Sequence, residues 1–171
     1  MSTQNFHAKK GDINSTRIAI IPPLIDYAII RKKLMENKNM FPNISIKNTL
    51  MESLGINIVE VKNGVCIATM PVDERTKQPF GYLHGGASVA LAETAASVGA
   101  ASLIDAKKQA VFGQEINANH IRSVKEGIVT ATATVIHQGK SSMVYEIKVE
   151  NDKKELICIS RCTLAVISLE R

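Results

Sequence analysis

The stretch that decides the fold is GGASVALAETAASVGAASLI, residues 85–104, which holds a single charged side chain, Glu93. A helix that is apolar on every side is a buried helix. Its many alanines and glycines allow other elements to approach it closely from all directions. A membrane-spanning helix is the alternative, but the central carboxylate and the lack of a second hydrophobic segment argue against it. We therefore predict a central, buried helix over residues 85–104.

The segments on either side of this helix alternate with a period of two, as β-strands do. A hairpin over residues 56–70 precedes it and turns at Asn63-Gly64, a pair typical of tight turns between strands. A loop over residues 71–83 leads into the helix. Four further strands are predicted after it, at residues 110–121, 128–136, 143–149 and 156–167. Because the turns between them are short, neighbouring strands must be antiparallel. We predict an α+β fold with one curved antiparallel sheet wrapped around the helix.

The N-terminal part of the chain is expected to be an extension of this domain, covering residues 1–44. Residues 1–21 are polar at the start and follow no clear period, which predicts a loose arm. Pro22 and the proline after it are typical of a first helical turn, and apolar residues at helical spacing predict a helix that ends near Asn37.

The domain itself is predicted to span residues 45–171 and to begin with a second short helix. Ser45 is the expected N-cap of this helix and Gly55 its expected end. Leu50 and Leu54 would form its inward face.

Composition places the chain among ordinary globular proteins, because 45% of its 171 residues are hydrophobic and 22% are charged. Its 21 basic and 16 acidic residues give a net charge of +5. This excess suits an anionic ligand and does not by itself indicate nucleic acid. Aromatic residues make up only 4% and tryptophan is absent, so stacking surfaces for nucleic-acid bases are scarce.

Three cysteines, Cys66, Cys158 and Cys162, form no disulfide pattern, since their number is odd and their spacings are unrelated. The last two are also separated by the wrong interval for a zinc knuckle. We expect buried thiols in a reducing compartment, no metal, and a cytoplasmic protein without a signal peptide.

Glu93 is the first candidate for chemistry, because a carboxylate in a buried helix is costly unless it is paired or used. It either pairs with a base or reaches the surface, or it is catalytic. Ser97 lies one turn further on the same face and could orient the carboxylate or a water molecule. At the start of the helix, His84 precedes Gly85 and Gly86. Free N–H groups and the helix dipole there could hold a developing oxyanion, while His84 either fixes the loop or transfers protons.

The distance between Gly85 and Glu93 predicts the oligomeric state. Eight residues separate Gly85 from Glu93, which is roughly 12 Å along a helix. A carboxylate at that distance cannot act on a carbonyl held by the Gly85 N–H. If both act on one substrate they come from different chains, which predicts a homodimer with two shared sites.

Several runs closely resemble hotdog-fold thioesterases of the phenylacetate-pathway, 4-hydroxybenzoyl-CoA and 1,4-dihydroxy-2-naphthoyl-CoA group. These runs are MPVD at 70–73, TKQPFG at 76–81, LHGGAS at 83–88 and Glu93. The later run EINANHIRS, residues 115–123, is most similar to the dihydroxynaphthoyl-CoA enzymes. The resemblance covers about residues 50–167.

The resemblance implies hydrolysis of an acyl-CoA thioester and assigns a role to each matching residue. Gln78 would help to hold the thioester carbonyl, with the Gly85 N–H as second donor and His84 supporting the loop. Glu93 would be the nucleophile or the general base, and Ser97 would place water. CoA would be held by two groups, one of His120, Arg122 and Ser123, the other of Gly139, Lys140 and Ser141. CoA is part of the substrate, so no cofactor is expected, and the homodimer is expected to pair into a homotetramer.

Some alternatives stay open at this point. Arg122, Lys125 and Lys140 could be ordinary surface charges, and close relatives often have Arg or His near the position of Lys140. A hydratase on the same fold would need a histidine and acid motif that the sequence lacks. A non-catalytic acyl-CoA-binding module would not need Glu93. The resemblance favours aromatic CoA esters, with carrier-protein-bound or medium-chain acyl groups as alternatives.

Overall fold

One antiparallel sheet and one long helix dominate the structure, a computed structural model that describes residues 45–170. The helices are α1 (Leu50–Leu54) and α2 (Gly85–Ala101), and the strands are β1 (Asn57–Lys62), β2 (Val65–Pro71), β3 (Gln109–His120), β4 (Ile128–Gln138), β5 (Ser142–Glu150) and β6 (Leu156–Ser168). The predicted arm and the predicted helix ending near Asn37 lie outside the described residues.

The sheet has the order β1-β2-β4-β5-β6-β3, and every neighbouring pair of strands is antiparallel. It curves around α2, which contacts all six strands. This is the hotdog architecture, so the predicted fold class is confirmed. The two edges of the sheet are β1 and β3, and β3 is twice as long as β1 because it has 12 residues against 6.

Alternating side chains of the strands point at the helix and form the core. The inward row of β5 is fully buried: Met143, Tyr145, Ile147 and Val149. The helix packs against this row with its small residues, and a Cβ at Gly99 would lie 3.0 Å from Cε1 of Tyr145. Small residues therefore let the sheet approach α2 closely on this side. The three cysteines are buried free thiols, also as predicted.

The strands and the hairpin fall within a few residues of their predicted positions. The turn at Asn63-Gly64 has positive φ at both residues, 50° and 77°. This conformation requires residues that tolerate the left-handed region, which explains the Asn-Gly pair. No helix within residues 45–170 has the length and apolar character needed to cross a membrane.

The environment of α2 corrects one prediction, because the sheet covers only one side of the helix. Ala92, Ala95 and Ala96 on that side are fully buried. The opposite stripe is only partly covered, and it consists of Val89, Ala90, Glu93, Thr94, Ser97 and Val98. The helix also ends at Ala101 rather than at residue 104, since the Ser102 hydroxyl turns back to the Gly99 carbonyl.

The short helix α1 begins later than predicted, and its N-cap is Thr49 instead of Ser45. The Thr49 hydroxyl accepts a hydrogen bond from the Glu52 N–H, in the S/T-x-x-E pattern of a capping box. The predicted inward residue Leu50 is the first residue of the helix and is 62% exposed. Leu54 does pack on the core, and Gly55 ends the helix with φ of 68°, both as predicted.

Candidate active site

A surface cavity of about 460 Å³ lies at the N-terminal end of α2. Its walls come from the loop before the helix, the first turn of the helix and the segment that follows β3. It brings together five residues that the sequence singled out: Gln78, Gly85, His120, Arg122 and Ser123.

His84 acts as the N-cap of α2. Its Nδ1 atom accepts a hydrogen bond from the Gly86 N–H at 2.8 Å, and its carbonyl oxygen accepts from Ala87 and Ser88. The Gly85 N–H bonds to no acceptor within residues 45–170. The first turn therefore presents one free N–H, at the positive end of the helix dipole and on the cavity wall.

The Gln78 side chain is oriented by its own turn. The backbone bonds Gln78 N–H to Tyr82 carbonyl and Gly81 N–H to Gln78 carbonyl close the loop, with Gly81 at a φ of 83°. The Gln78 Oε1 atom accepts a hydrogen bond from the Phe80 N–H at 2.5 Å. A backbone N–H donates, so the group that accepts it is the side-chain oxygen, and the Nε2 group of Gln78 has no hydrogen-bond partner within residues 45–170. The cavity thus holds a second potential donor besides the Gly85 N–H.

His120 lies against the start of the helix. A Cβ built on Gly85 would be 2.7 Å from His120 Nε2, so the absence of a side chain at Gly85 makes room for the imidazole. The Arg122 guanidinium donates to the Leu156 carbonyl at 2.9 Å, which holds this side chain at the cavity.

Glu93 and Ser97 do not line this cavity. They belong to the partly covered stripe of α2, and Glu93 is two helical turns beyond Gly85. Its carboxylate lies on β3, where a Cβ built on Gly113 would be 2.5 Å from Oε1. Within residues 45–170 the carboxylate has no hydrogen-bond or ion-pair partner. The carboxylate also acts on the buried Cys162 thiol. The pKa of this thiol is raised to about 11, mainly by burial and then by the negative charges of Glu93 and Glu115.

The residues predicted to hold CoA separate into two groups in one chain. His120, at the end of β3, pairs with Cys158 on β6. The turn of Gly139, Lys140 and Ser141 joins β4 to β5, and Ser142 just beyond it pairs with Ala165 on β6. Seven residues along β6 separate these two points, which is about 23 Å. A single chain therefore does not bring the two groups together.

Five further residues line the cavity that sequence reasoning did not single out, and two of them, Tyr82 and Ser88, carry a hydroxyl group. The signal for Ser88 was present, since it lies three residues after Gly85 on the same face of the helix. Tyr82 gave no such signal. The ammonium group of Lys125 lies 4.9 Å from the centre of the Tyr82 ring, a cation–π contact with this wall residue.

Comparison with known proteins identifies the class to which this fold, with its cavity at the helix N-terminus, belongs. The profile of the thioesterase superfamily matches residues 80–158. The Bacillus subtilis (strain 168) protein ComA2, named as an esterase, is 62% identical over 124 residues, covering 72% of this chain and 98% of that protein. The chain belongs to the thioesterase superfamily and is an acyl-CoA thioesterase.

Two further relatives are similar over most of their length. The 1,4-dihydroxy-2-naphthoyl-CoA hydrolase of Listeria monocytogenes (serotype 1/2a, strain 10403S) is 56% identical over 117 residues, covering 68% of this chain and 94% of that protein. The crystal structure of a thioesterase variant from Staphylococcus aureus subsp. aureus Mu50 superposes with a TM-score of 0.67 at 52% identity, covering 68% of this chain and 97% of that one.

Proposed function

We propose that the protein hydrolyses an aromatic acyl-CoA thioester of the hydroxyaryl type to the free acid and CoA. The observation that carries this proposal is the pair of free donors in one cavity, the Gly85 N–H and the Gln78 Nε2 group. Such a pair suits the oxygen of a thioester carbonyl, where negative charge develops as the carbonyl is attacked. The aromatic acyl group is supported by the hydrolase names of relatives from Listeria and from Escherichia coli (strain K12), which are 56% and 47% identical.

The reaction needs a base or nucleophile opposite these donors, and we assign this role to Glu93. As a base, its carboxylate takes a proton from water while the hydroxide forms a bond to the carbonyl carbon. The intermediate then collapses, the carbon–sulfur bond breaks, and the thiolate of CoA leaves and takes up a proton. As a nucleophile, the Glu93 carboxylate bonds to the carbonyl carbon, the carbon–sulfur bond breaks and the CoA thiolate leaves and takes up a proton; water then hydrolyses the mixed anhydride to the free acid and regenerates the Glu93 carboxylate. Ser97, on the same helix face, orients the water in either route.

We further propose that the active site is shared between two chains of a homodimer. The edge strand β3 has 12 residues and contains no proline, and within residues 45–170 it pairs only with β6, which leaves the backbone groups along its other side without a partner strand. Such an edge is a template for a second strand. Antiparallel pairing of two β3 strands about a two-fold axis would also cover the open stripe of α2.

Two sets of groups lie apart in one chain: Gly85 and Glu93, and the two groups predicted to hold CoA. This dimer would bring the members of each set together. It brings the partner's Glu93 toward the Gly85 N–H, because the two helices then run in opposite directions. It also moves the turn of Gly139, Lys140 and Ser141 toward His120, Arg122 and Ser123 of the other chain. One symmetry operation thus completes the catalytic set and the CoA-binding set together. A dimer of such dimers would give the expected tetramer, which light scattering of the purified protein would distinguish from a dimer.

A steady-state panel of CoA esters tests the function. Hydroxyaryl- and aryl-CoA esters should show a kcat/KM at least tenfold above that of medium-chain alkyl-CoA esters. The same acyl groups on a carrier protein form a third arm. Preference for alkyl chains or for the carrier protein would overturn the proposed substrate. The Glu93→Gln variant is the control for chemistry, since it conserves the shape of the side chain and removes the carboxylate.

A further inference from the structure

Gly113 is the one position on β3 where the strand leaves space beneath the Glu93 carboxylate. A Cβ at Gly113 would lie 2.5 Å from Glu93 Oε1, 3.5 Å from Cδ and 3.9 Å from Cγ. Its neighbours on the helix-facing side of the strand, Val111 and Ile116, carry side chains that pack on the core. Gly113 therefore leaves a gap in a row of apolar side chains, and the Glu93 carboxylate lies in that gap.

The φ angle at Gly113 does not require glycine, because it is not positive, in contrast to that of Gly55, Gly64, Gly81 and Gly127. The pairing of β3 with β6 shifts register between Gly113 and Glu115, so the position lies beside a bulge in the strand. The group that a Cβ would meet there is the carboxylate of Glu93, and the absence of a side chain leaves space for that carboxylate.

We propose that Gly113 is a positioning residue that sets where the Glu93 carboxylate stands on the dimer-facing edge of the sheet. The inference rests on the proposed function, because it requires Glu93 to take part in the reaction. A Cβ at Gly113 forces Oε1 to move by at least about half an ångström, since real Cβ contacts are not shorter than about 3.0 Å. Displacements of about 1 Å at a reacting group reduce rates by up to about 100-fold. The displaced atom is the end of a flexible side chain, so the fold tolerates the change.

The test is Gly113→Ala, measured with the substrate that the panel selects. We expect kcat to fall about 10- to 100-fold, with KM changed by less than about threefold and the melting temperature unchanged within about 2 °C. The matched control places the same substitution in the Glu93→Gln variant, with single turnovers at excess enzyme to record the residual rate. In the Glu93→Gln background, Gly113→Ala should lower the single-turnover rate by less than about twofold, because the carboxylate is already absent.

The outcomes separate the inference from the proposed function. If Gly113→Ala keeps more than half of kcat while Glu93→Gln is inactive, the positioning role is wrong and the function stands. An equal loss in both backgrounds, or a large fall in melting temperature, would show that the glycine serves the strand and would also overturn the inference. If Glu93→Gln itself remains active, the proposed role of Glu93 fails, whatever Gly113→Ala does.

Discussion

The Nδ1 atom of His84 accepts a hydrogen bond of 2.8 Å from the backbone N–H of Gly86, so a histidine serves as the N-cap of α2. An acceptor at Nδ1 requires the neutral ring with its proton on Nε2. Protonation of Nδ1 would turn the acceptor into a donor and break the cap. The same bond uses up the Gly86 N–H and leaves the Gly85 N–H as the free donor of the first turn.

Replacement of His84 should therefore separate capping from proton transfer. His84→Ala should lose about 0.5–2 kcal/mol of stability, which is the usual cost of removing an N-cap, together with most of kcat. His84→Asn should keep both to a large extent, because asparagine is a good N-cap and cannot transfer protons. Chemical denaturation and kcat of the two variants check this. A stable but inactive His84→Asn protein would show that the imidazole takes part in the chemistry.

Gln78→Glu isolates the donor function of the Gln78 amide. The new side chain still accepts the bond from the Phe80 N–H, so the turn should keep its shape, but the free end becomes an acceptor. Loss of one donor to an oxyanion typically costs about 10²–10³ in kcat, and the added negative charge makes the loss no smaller. Circular dichroism should remain unchanged. If kcat stays within about threefold of wild type, the Gln78 amide does not contact the carbonyl.

Much of this fold follows from the sequence because periodicity reports on burial. The alternation of β5 and the apolar character of residues 85–104 predicted a strand and a helix that the structure contains. The Asn63-Gly64 turn was equally clear. The start of α1 was misplaced because Ser45 and Thr49 are both good caps, and only Thr49 is followed three residues later by a glutamate.

The candidate site was only partly predictable. Spacing along α2 shows that Gly85 and Glu93 are far apart, but it does not show what each one meets. The contacts of Gly85 with His120 and of Glu93 with Gly113 depend on β3 crossing the helix, and this follows from the strand order. The separation of His120 from Lys140 also depends on topology, since β3 and the β4–β5 turn bring these residues to opposite ends of β6.

Lys140→Ala should weaken binding of the nucleotide part of CoA. The exposed ammonium group of Lys140 would face the phosphates in the partner's site, so its loss should raise KM for CoA esters several-fold with kcat unchanged. A truncated pantetheine ester, which lacks the nucleotide, should show no such effect. Lys148→Ala is the matched control, because Lys148 is also exposed but lies on β5 near Glu146. Equal losses on both esters would show that Lys140 does not bind CoA.

The three thiols should be inert in the folded protein. Burial raises the pKa of the Cys66 thiol from 9.0 to about 12, and Cys158 and Cys162 are shifted in the same direction. A raised thiol pKa lowers the thiolate fraction at a given pH, by about a thousandfold for Cys66 at pH 8. An aromatic disulfide reagent should therefore label no cysteine at pH 8 until denaturant is added, and then three. Rapid labelling of the native protein would contradict this burial.

Two inactive variants should restore activity in a mixed dimer if the site is shared. One chain carries Glu93→Ala and the other Gln78→Ala, and the two are unfolded together and refolded. In a mixed dimer, one of the two sites combines an intact Gln78 with an intact Glu93 from the other chain. Random pairing makes half of the dimers mixed, each with one good site, so activity should return to about a quarter of wild type. Affinity tags of different size on the two chains confirm that mixed dimers form. If those dimers are as inactive as their parents, Gln78 and Glu93 act within one chain, and antiparallel pairing of the β3 edges would no longer explain the site.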